Sequence, residues 1–425
     1  MAKIVIVGAG SGFGGKLSID IFSREAMKGS TIALCDIDAA KLKAVTRYLE
    51  RTVEAHKLPA KIVASTDRRK LLRGADFVVT SISVGGPAYR GRVHKLECRI
   101  PAKYGVRQSV ADTIGVGGVF RFLRTAPVQL EILRDVQRLA PNALVLNYTN
   151  PMAMLTWAHS VGVGVRNVGL CHSVQGTIRK LAGFLNLPFE EVSYWVAGIN
   201  HEGWVLRLRR KGKDLYPALR KAMNDPEIYA QDKVRFEMMR HFGLFVTESS
   251  GHMSEYVPYF RRTAKDLRRY GLIRRKRPPR PRRQWLVDPN TPVPELTASN
   301  EYASGIMEGV VTNRPFRFNG NVMNAGIITN LPNESCVEVP CIADGEGVHP
   351  CHVGALPPQL AAINRSNIAV QELAVRAVLD KDKESAFWAC ALDPLTASVA
   401  TLDQIRKMFE ELWAAEADLL TYYRK

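Results

Sequence analysis

The chain opens on Lys3-Ile-Val-Ile-Val-Gly8-Ala9-Gly10-Ser11-Gly12-Phe13-Gly14, an apolar strand that runs straight into a glycine turn. The run Ile4 to Val7 suits a parallel strand buried on both faces. Gly8 permits a tight turn and Gly10 lets the backbone approach a pyrophosphate. The helix that follows then aims its free N–H groups at that anion. The second strand, Thr31-Ile-Ala-Leu-Cys35, ends on Asp36, where an acid would hold ribose hydroxyls. Asp36 and Asp38 would repel a 2′-phosphate, which favours NAD over NADP. The third glycine slot holds Phe13 when counted from Gly8, whereas counting from Gly10 gives Gly10, Gly12 and Gly15. Strand, glycines, helix and acid in that order carry the reading, because a glycine pattern alone is weak. We expect a dinucleotide cradle built from Gly8, Gly10, Ser11, Phe13 and Asp36.

At 425 residues the chain exceeds one ordinary core, so two domains are expected. Its apolar fraction of 46% and charged fraction of 24% are those of a soluble globular protein. The first strand starts at residue 3, which leaves no room for a signal peptide, and no apolar stretch reaches the ~20 residues of a membrane helix. Seven cysteines without Cys-x-x-Cys spacing argue against a disulfide framework and against a structural zinc cluster. The expected location is cytoplasmic. The net charge of +18 is unevenly spread: residues 261–283 hold twelve Lys/Arg against one Asp and contribute +11 of it. Three prolines between Arg274 and Arg283 make that stretch extended. It reads as a solvated loop, with polyanion contact or a subunit interface as the alternatives.

Through the first half, short apolar runs alternate with helical stretches. Ile4–Val7, Thr31–Cys35, Ala75–Ile82, Ala143–Asn147 and Val165–Leu170 read as strands of one parallel sheet, and 39–56 and 119–139 as helices. After Pro188 the pattern changes to antiparallel strands, Val192–Val196 and Trp204–Arg209, turning at Lys211-Gly212-Lys213. Residues 216–270 read as interrupted helix. Helices at Glu301–Val311 and Asn364–Leu379 flank a β-like Ser335–Ala343, and Leu402–Tyr423 is a last helix. The expected architecture is α/β. A doubly wound, Rossmann-like parallel sheet (1–190) binds NAD, and an α+β domain (191–425) serves substrate, metal and oligomerisation. The chemistry is expected in the cleft between them.

Three clusters fall at strand ends. Leu146-Asn147-Tyr148-Thr149-Asn150-Pro151-Met152 brings two amides that suit vicinal hydroxyls, although Asn-Pro is also a common turn former. Val168-Gly169-Leu170-Cys171-His172-Ser173 and Gly198-Ile199-Asn200-His201-Glu202 place a thiol and an imidazole on one cleft. A lone cysteine is more often core, but a soft thiolate with imidazole and open positions suits a catalytic divalent ion.

These residues resemble the NAD- and manganese-dependent glycoside hydrolases of family four over nearly the whole chain. Leu-Asn-Tyr-Thr-Asn-Pro-Met at 146–152, Gly-Leu-Cys-His-Ser-Val-Gln at 169–175 and Ala-Gly-Ile-Asn-His at 197–201 carry the likeness. Ala111-Asp112-Thr-Ile-Gly-Val-Gly-Gly118, Phe245-Val-Thr-Glu-Ser-Ser250 and Gly320-Asn321-Val322 add to it. Histidine after the cysteine looks like the α-galactosidase and α-galacturonidase branch. The resemblance implies that Cys171 and His201 ligate Mn²⁺, that Asn150, with Asn147 beside it, binds the sugar, that His172 is the acid and that Tyr256 is the base. It also implies a course of C3 oxidation by NAD⁺, C2 deprotonation, elimination of the aglycone from an α-glycoside, water addition and re-reduction. That plan departs from the usual pair of carboxylates. It further implies a lactate/malate dehydrogenase-like fold, and a homodimer or homotetramer is expected.

Alternatives stay open on the residues themselves. Tyr256, near Tyr259 and Phe260, also reads as aromatic core, and His252 and Glu248 are rival bases. Asp112 reads either as an active-site carboxylate or as an N-cap of the following helix. Glu202-Gly203, Gly251 and Leu395 stand where relatives carry other residues, which bears on substrate choice. A 2-hydroxy acid dehydrogenase is the competing enzyme reading, but it wants an Arg/His/Asp set without metal. A nucleic-acid partner rests only on 261–283, which lacks interleaved aromatics, and neither it nor a membrane is expected.

Overall fold

The structure is a computed structural model that describes residues 1–86, 91–273, 288 and 290–424. Among the described residues twelve strands form: β1 Lys3–Val7, β2 Thr31–Cys35, β3 Lys61–Ser65, β4 Phe77–Thr80, β5 Leu144–Asn147, β6 Asn167–Gly169, β7 Val192–Ile199, β8 Glu202–Arg210, β9 Lys213–Asp214, β10 Phe316–Met323, β11 Cys336–Asp344 and β12 Gly347–Pro350. The first six are parallel in the order β3-β2-β1-β4-β5-β6. The order reverses between β1 and β4, which opens a crevice at the carboxyl ends of these strands. All of β4 and β5 and most of β1 and β2 are buried, as their apolar runs require.

The sheet does not stop at residue 190. β10 pairs antiparallel with β6 through Asn321 and Gly169, and β11, β7, β8 and β9 continue beyond it. One apolar core follows the sheet from Ile4 and Phe120 to Val337 and Phe409. The long helix Gly115–Leu139 lies inside that core. It starts four residues before the expected 119, because Gly115 to Gly118 are helical. A Cβ on Gly118 would lie 2.7 Å from the Thr113 carbonyl carbon, so glycine lets the 111–113 loop rest against the helix.

The remaining elements sit close to expectation, with local corrections. Helix Ala39–Ala55 buries Leu42, Val45, Leu49 and Thr52 at helical spacing and is capped by Asp38, which accepts from Lys41 N–H. The β7–β8 hairpin turns at Asn200-His201, two residues before β8 proper. Lys211-Gly212 instead opens the short β9, because pairing of β7 with β8 begins at Ile199 and Glu202. The last helix ends at Ala415 and not at 423. β3 and β10 were not expected. The stretch Arg274–Arg283, expected from its prolines to be extended, lies outside the described residues. All seven cysteines are free. Among the described residues, no helix is long and apolar enough to cross a membrane.

Candidate active site

The glycine turn after β1 is built for a close approach. The Gly10 N–H donates to Asp36 Oδ2 at 2.7 Å, so the acid at the end of β2 reaches the turn directly. Asp36 Oδ1 accepts from Asp38 N–H at 2.9 Å. Gly12 caps helix Phe13–Phe22 with no side chain of its own, which leaves the helix N-terminus open toward an anion. The glycine that packs helix on strand is Gly14, in neither of the two counts considered from sequence: a Cβ there would lie 2.7 Å from the Ala9 carbonyl oxygen. Ser11 sits exposed on the turn, and the Phe13 ring lies 4.6 Å from that of Tyr148.

Five strand and loop ends converge on one point. Cys171 follows β6 and His201 sits at the β7–β8 turn, with Cys171 Sγ 3.2 Å from His201 Nε2. A ligand atom of Glu248 joins them, all three atoms lying within 4.8 Å of one another. The His252 ring stands 4.8 Å from that of His201, and its Nε2 lies 3.5 Å from Asp112 Oδ1. Asp112 in turn accepts from Asn150 Nδ2 at 3.1 Å, and Arg121 Nε donates to the Asn150 carbonyl at 3.1 Å. The Asn150–Pro151 and Asn200–His201 peptide bonds are cis.

The electrostatics of this cluster are dominated by burial and by carboxylates. Burial pushes the Cys171 thiol well above its ordinary range, and the charges of Glu248 and Glu338 add to the shift. Burial also opposes charge on Asp112, but the His252 hydrogen bond, with the fields of His252, Arg121 and His201, outweighs it and holds that carboxyl below its usual value. Glu338, fully buried on β11, is pushed up to about 7 by burial, with His201 and the Asn200 and Asn321 amides partly offsetting it. Glu248 resists the same burial because His201, His252 and His172 surround it, and its carboxyl is held below the ordinary range.

The other expected residues divide. His172 is on the rim, 69% exposed, with Nδ1 4.0 Å from Glu301 Oε1. Tyr256 has no exposed surface; its hydroxyl donates to the Asn200 carbonyl and accepts from His201 N–H. Burial pushes that phenol well above its usual value. Asn147 is corrected. It is fully buried, its Oδ1 accepts from Thr80 Oγ1 and Thr149 N–H, and its Nδ2 donates to the Thr149 carbonyl, so it holds the turn after β5 rather than facing a ligand. Asp112 is not an N-cap, because that position in helix Gly115–Leu139 belongs to Ile114.

Glu255 fixes the Asp112 loop from behind. Its carboxylate accepts from the N–H groups of Ser109, Val110 and Ala111 at 2.6–2.9 Å and from Gln108 Nε2. Buried Arg261, within the basic stretch, lies 3.4 Å from Glu255 and donates to Ser109 Oγ and the Arg107 carbonyl. Sequence reasoning missed Glu255, Glu301 and Glu338 altogether. The ordered motifs around Ala111–Gly118 and Phe245–Ser250 signalled the acidic side of the site through Asp112 and Glu248.

Fold and site together define an α/β enzyme with a dinucleotide-type crevice beside a thiol–imidazole–carboxylate cluster. Residues 3–187 match the family described as Family 4 glycosyl hydrolase, and residues 196–396 match its C-terminal domain. An α-galactosidase of Bacillus subtilis (strain 168) is 40% identical over 437 residues, covering 100% of both chains. An α-galactosidase of Rhizobium meliloti (strain 1021) is 36% identical, covering 99% of this chain and 89% of the relative. The chain belongs to glycoside hydrolase family 4 and is a glycoside hydrolase. A 6-phospho-α-glucosidase from gut microorganisms, solved in complex with NAD and Mn²⁺, shares the fold at TM-score 0.80 and 20% identity, covering 98% of each chain. A Plasmodium falciparum malate dehydrogenase shares it more distantly, at TM-score 0.55 and 13% identity over 92% of this chain and 100% of that one.

Proposed function

We propose that this glycoside hydrolase is an NAD- and Mn²⁺-dependent α-galactosidase. The observation that carries the reading is the Cys171–His201 pair, 3.2 Å apart at the carboxyl ends of a sheet whose first turn is a glycine cradle. A buried thiol beside an imidazole is a fitting donor set for a divalent ion with open positions. Two α-galactosidases among the full-length relatives support the sugar class. The charges of the site support it too. Lys16 is paired with Glu301 at 3.7 Å, and Arg121 lies against Asp112 and the Asn150 carbonyl. Because those two cations already face Glu301 and Asp112, the described residues favour a neutral hexose over a uronate or a sugar phosphate, whose charge would need a cation of its own.

When bound, NAD⁺ supplies a reversible two-electron acceptor for C3, and Mn²⁺ a Lewis acid whose charge acidifies C2–H and offsets the burial of Tyr256. The chain supplies the rest. The Gly8–Gly14 turn and Asp36 hold the dinucleotide, while Cys171 and His201 hold the cation. Asn150, fixed by Asp112, takes sugar hydroxyls. Tyr256 removes the C2 proton, and exposed His172 gives a proton to the leaving oxygen. The domain roles follow: residues 1–190 present the cofactor, and 191–425 present His201, Tyr256 and the sugar.

The test is a panel of p-nitrophenyl glycosides with NAD⁺, Mn²⁺ and a thiol reductant. The α-galactoside is expected to release nitrophenol with no net NADH, and product formed in D₂O to carry deuterium at C2. Stoichiometric NADH from a 2-hydroxy acid would replace this reading with a dehydrogenase. Faster turnover of the α-galacturonide would overturn the sugar class alone.

A further inference from the structure

We propose that Glu248 is a third protein ligand of the divalent cation, completing a thiolate–imidazole–carboxylate set with Cys171 and His201. The inference rests on the metal-dependent reading above and goes beyond its two ligands. Three observations carry it. The Cys171 sulfur, one His201 ring nitrogen and a Glu248 carboxylate oxygen lie within 4.8 Å of one another, a spacing that one ion at ordinary ligand distances can span. The three residues come from three separate elements: the end of β6, the β7–β8 turn, and the entry to helix Ser250–Tyr256.

The third observation is conformational. Glu248 has φ +75°, a left-handed backbone that a non-glycine residue seldom adopts. Its surroundings hold it there. Glu248 N–H donates to Thr177 Oγ1 at 3.2 Å, and Thr177 Oγ1 also accepts from buried Arg235 at 3.0 Å. Arg235 is itself paired with Asp232. That chain of contacts holds the backbone in the conformation that brings the carboxylate to Cys171 and His201.

A thiolate and a carboxylate together neutralise a dication, so the loaded centre would carry no net charge of its own. The competing role for Glu248 is a proton carrier, because His252 Nδ1 lies 3.7 Å away. Metal binding measured without sugar separates the two.

Mn²⁺ binding is followed by electron paramagnetic resonance on the full chain with NAD⁺ and no glycoside. Wild type, Glu248→Gln, Glu248→Asp and Cys171→Ser are compared. Glu248→Gln is expected to weaken Mn²⁺ by at least about 10–100-fold, with NAD⁺ affinity unchanged. Glu248→Asp, which keeps the charge but retracts the carboxylate, should fall between. With Co²⁺ in place of Mn²⁺, the thiolate-to-cobalt band should persist in Glu248→Gln while the ligand-field bands shift. Mn²⁺ affinity within twofold of wild type in a folded Glu248→Gln would overturn the proposal and leave Glu248 a proton carrier. If Glu248→Gln does not fold, Glu248→Asp and the cobalt spectrum decide by the same criteria. Equal, weak Mn²⁺ binding by wild type and Cys171→Ser would instead overturn the metal reading beneath it.

Discussion

The Tyr256 hydroxyl bridges the backbone of Asn200 and His201 from a site with no exposed surface. Tyr256→Phe removes both hydrogen bonds while keeping the ring. The loss should cost about 1–3 kcal/mol in stability, read as a lower melting temperature. If the hydroxyl is also the base at C2, turnover falls by ~10²–10⁴-fold with NAD⁺ binding retained. Normal turnover in a less stable variant would pass the role to His252, which stands beside His201 with part of its surface open. Glu202 makes a different prediction. Its carboxyl is buried behind the same turn and is pushed up to about 8 by burial, with the Asn364 and Asn367 amides offsetting part of that. The folded state therefore keeps a proton that the unfolded chain releases near pH 4–5. Stability should fall as pH rises from there toward 8 and then level off. Glu202→Gln has no such proton, so its melting temperature should overtake wild type across that window. The gap should reach on the order of 1–4 kcal/mol. Parallel pH profiles for the two proteins would show that Glu202 titrates normally.

Among elements, the 107–111 loop shows how position in the site is supplied from a distance. It has no regular structure, yet Glu255 and Arg261 bind it through backbone N–H groups and a carbonyl. Arg261→Met should leave Glu255 buried with its main cation gone, and cost about 3–5 kcal/mol by thermal or urea melting. A change within experimental error would show that the backbone donors suffice. These supports explain what the sequence made legible and what it did not. β1 and β2 announce themselves because strands buried on both faces are unbroken apolar runs. β3 does not, because it is an edge strand with Lys61, Val63 and Ala64 exposed. β10 was hidden by Asn319, Gly320 and Asn321, polar or small residues at its buried centre, where Asn319 donates to a carbonyl of β7 and Asn321 to one of β6. Cys171, His201 and Asp112 could be named because they sit at strand ends or in ordered motifs. Glu301 and Glu338 could not, since nothing near them in the chain marks them and only the folded sheet brings them to the cluster. Asn147 failed in the opposite sense: its motif was right, but the amide is spent on its own turn.

At the scale of the molecule, the basic stretch has two characters. Arg261 is 1% exposed and structural, whereas Arg262, Lys265, Arg268 and Arg269 are solvent-facing. Neutralising Arg262, Lys265 and Arg268, which face solvent, should leave the melting temperature unchanged, in contrast to Arg261→Met, and shift only the salt at which the protein leaves a cation-exchange resin. A large drop in melting temperature would instead assign that stretch a packed role. The sheet carries the wider consequence. Because β6, β10, β11 and β7 are hydrogen-bonded neighbours, the strand ends bearing Cys171 and His201 belong to one ladder and cannot swing apart as two leaves on a hinge. Ligand entry and exit then fall to rim side chains and loops, on which turnover should depend more than on solvent viscosity. Unfolding should be cooperative across the whole chain, with Trp157 on one side and Trp204 on the other losing their buried environments in the same urea transition, so that damage to either half is felt as the loss of both.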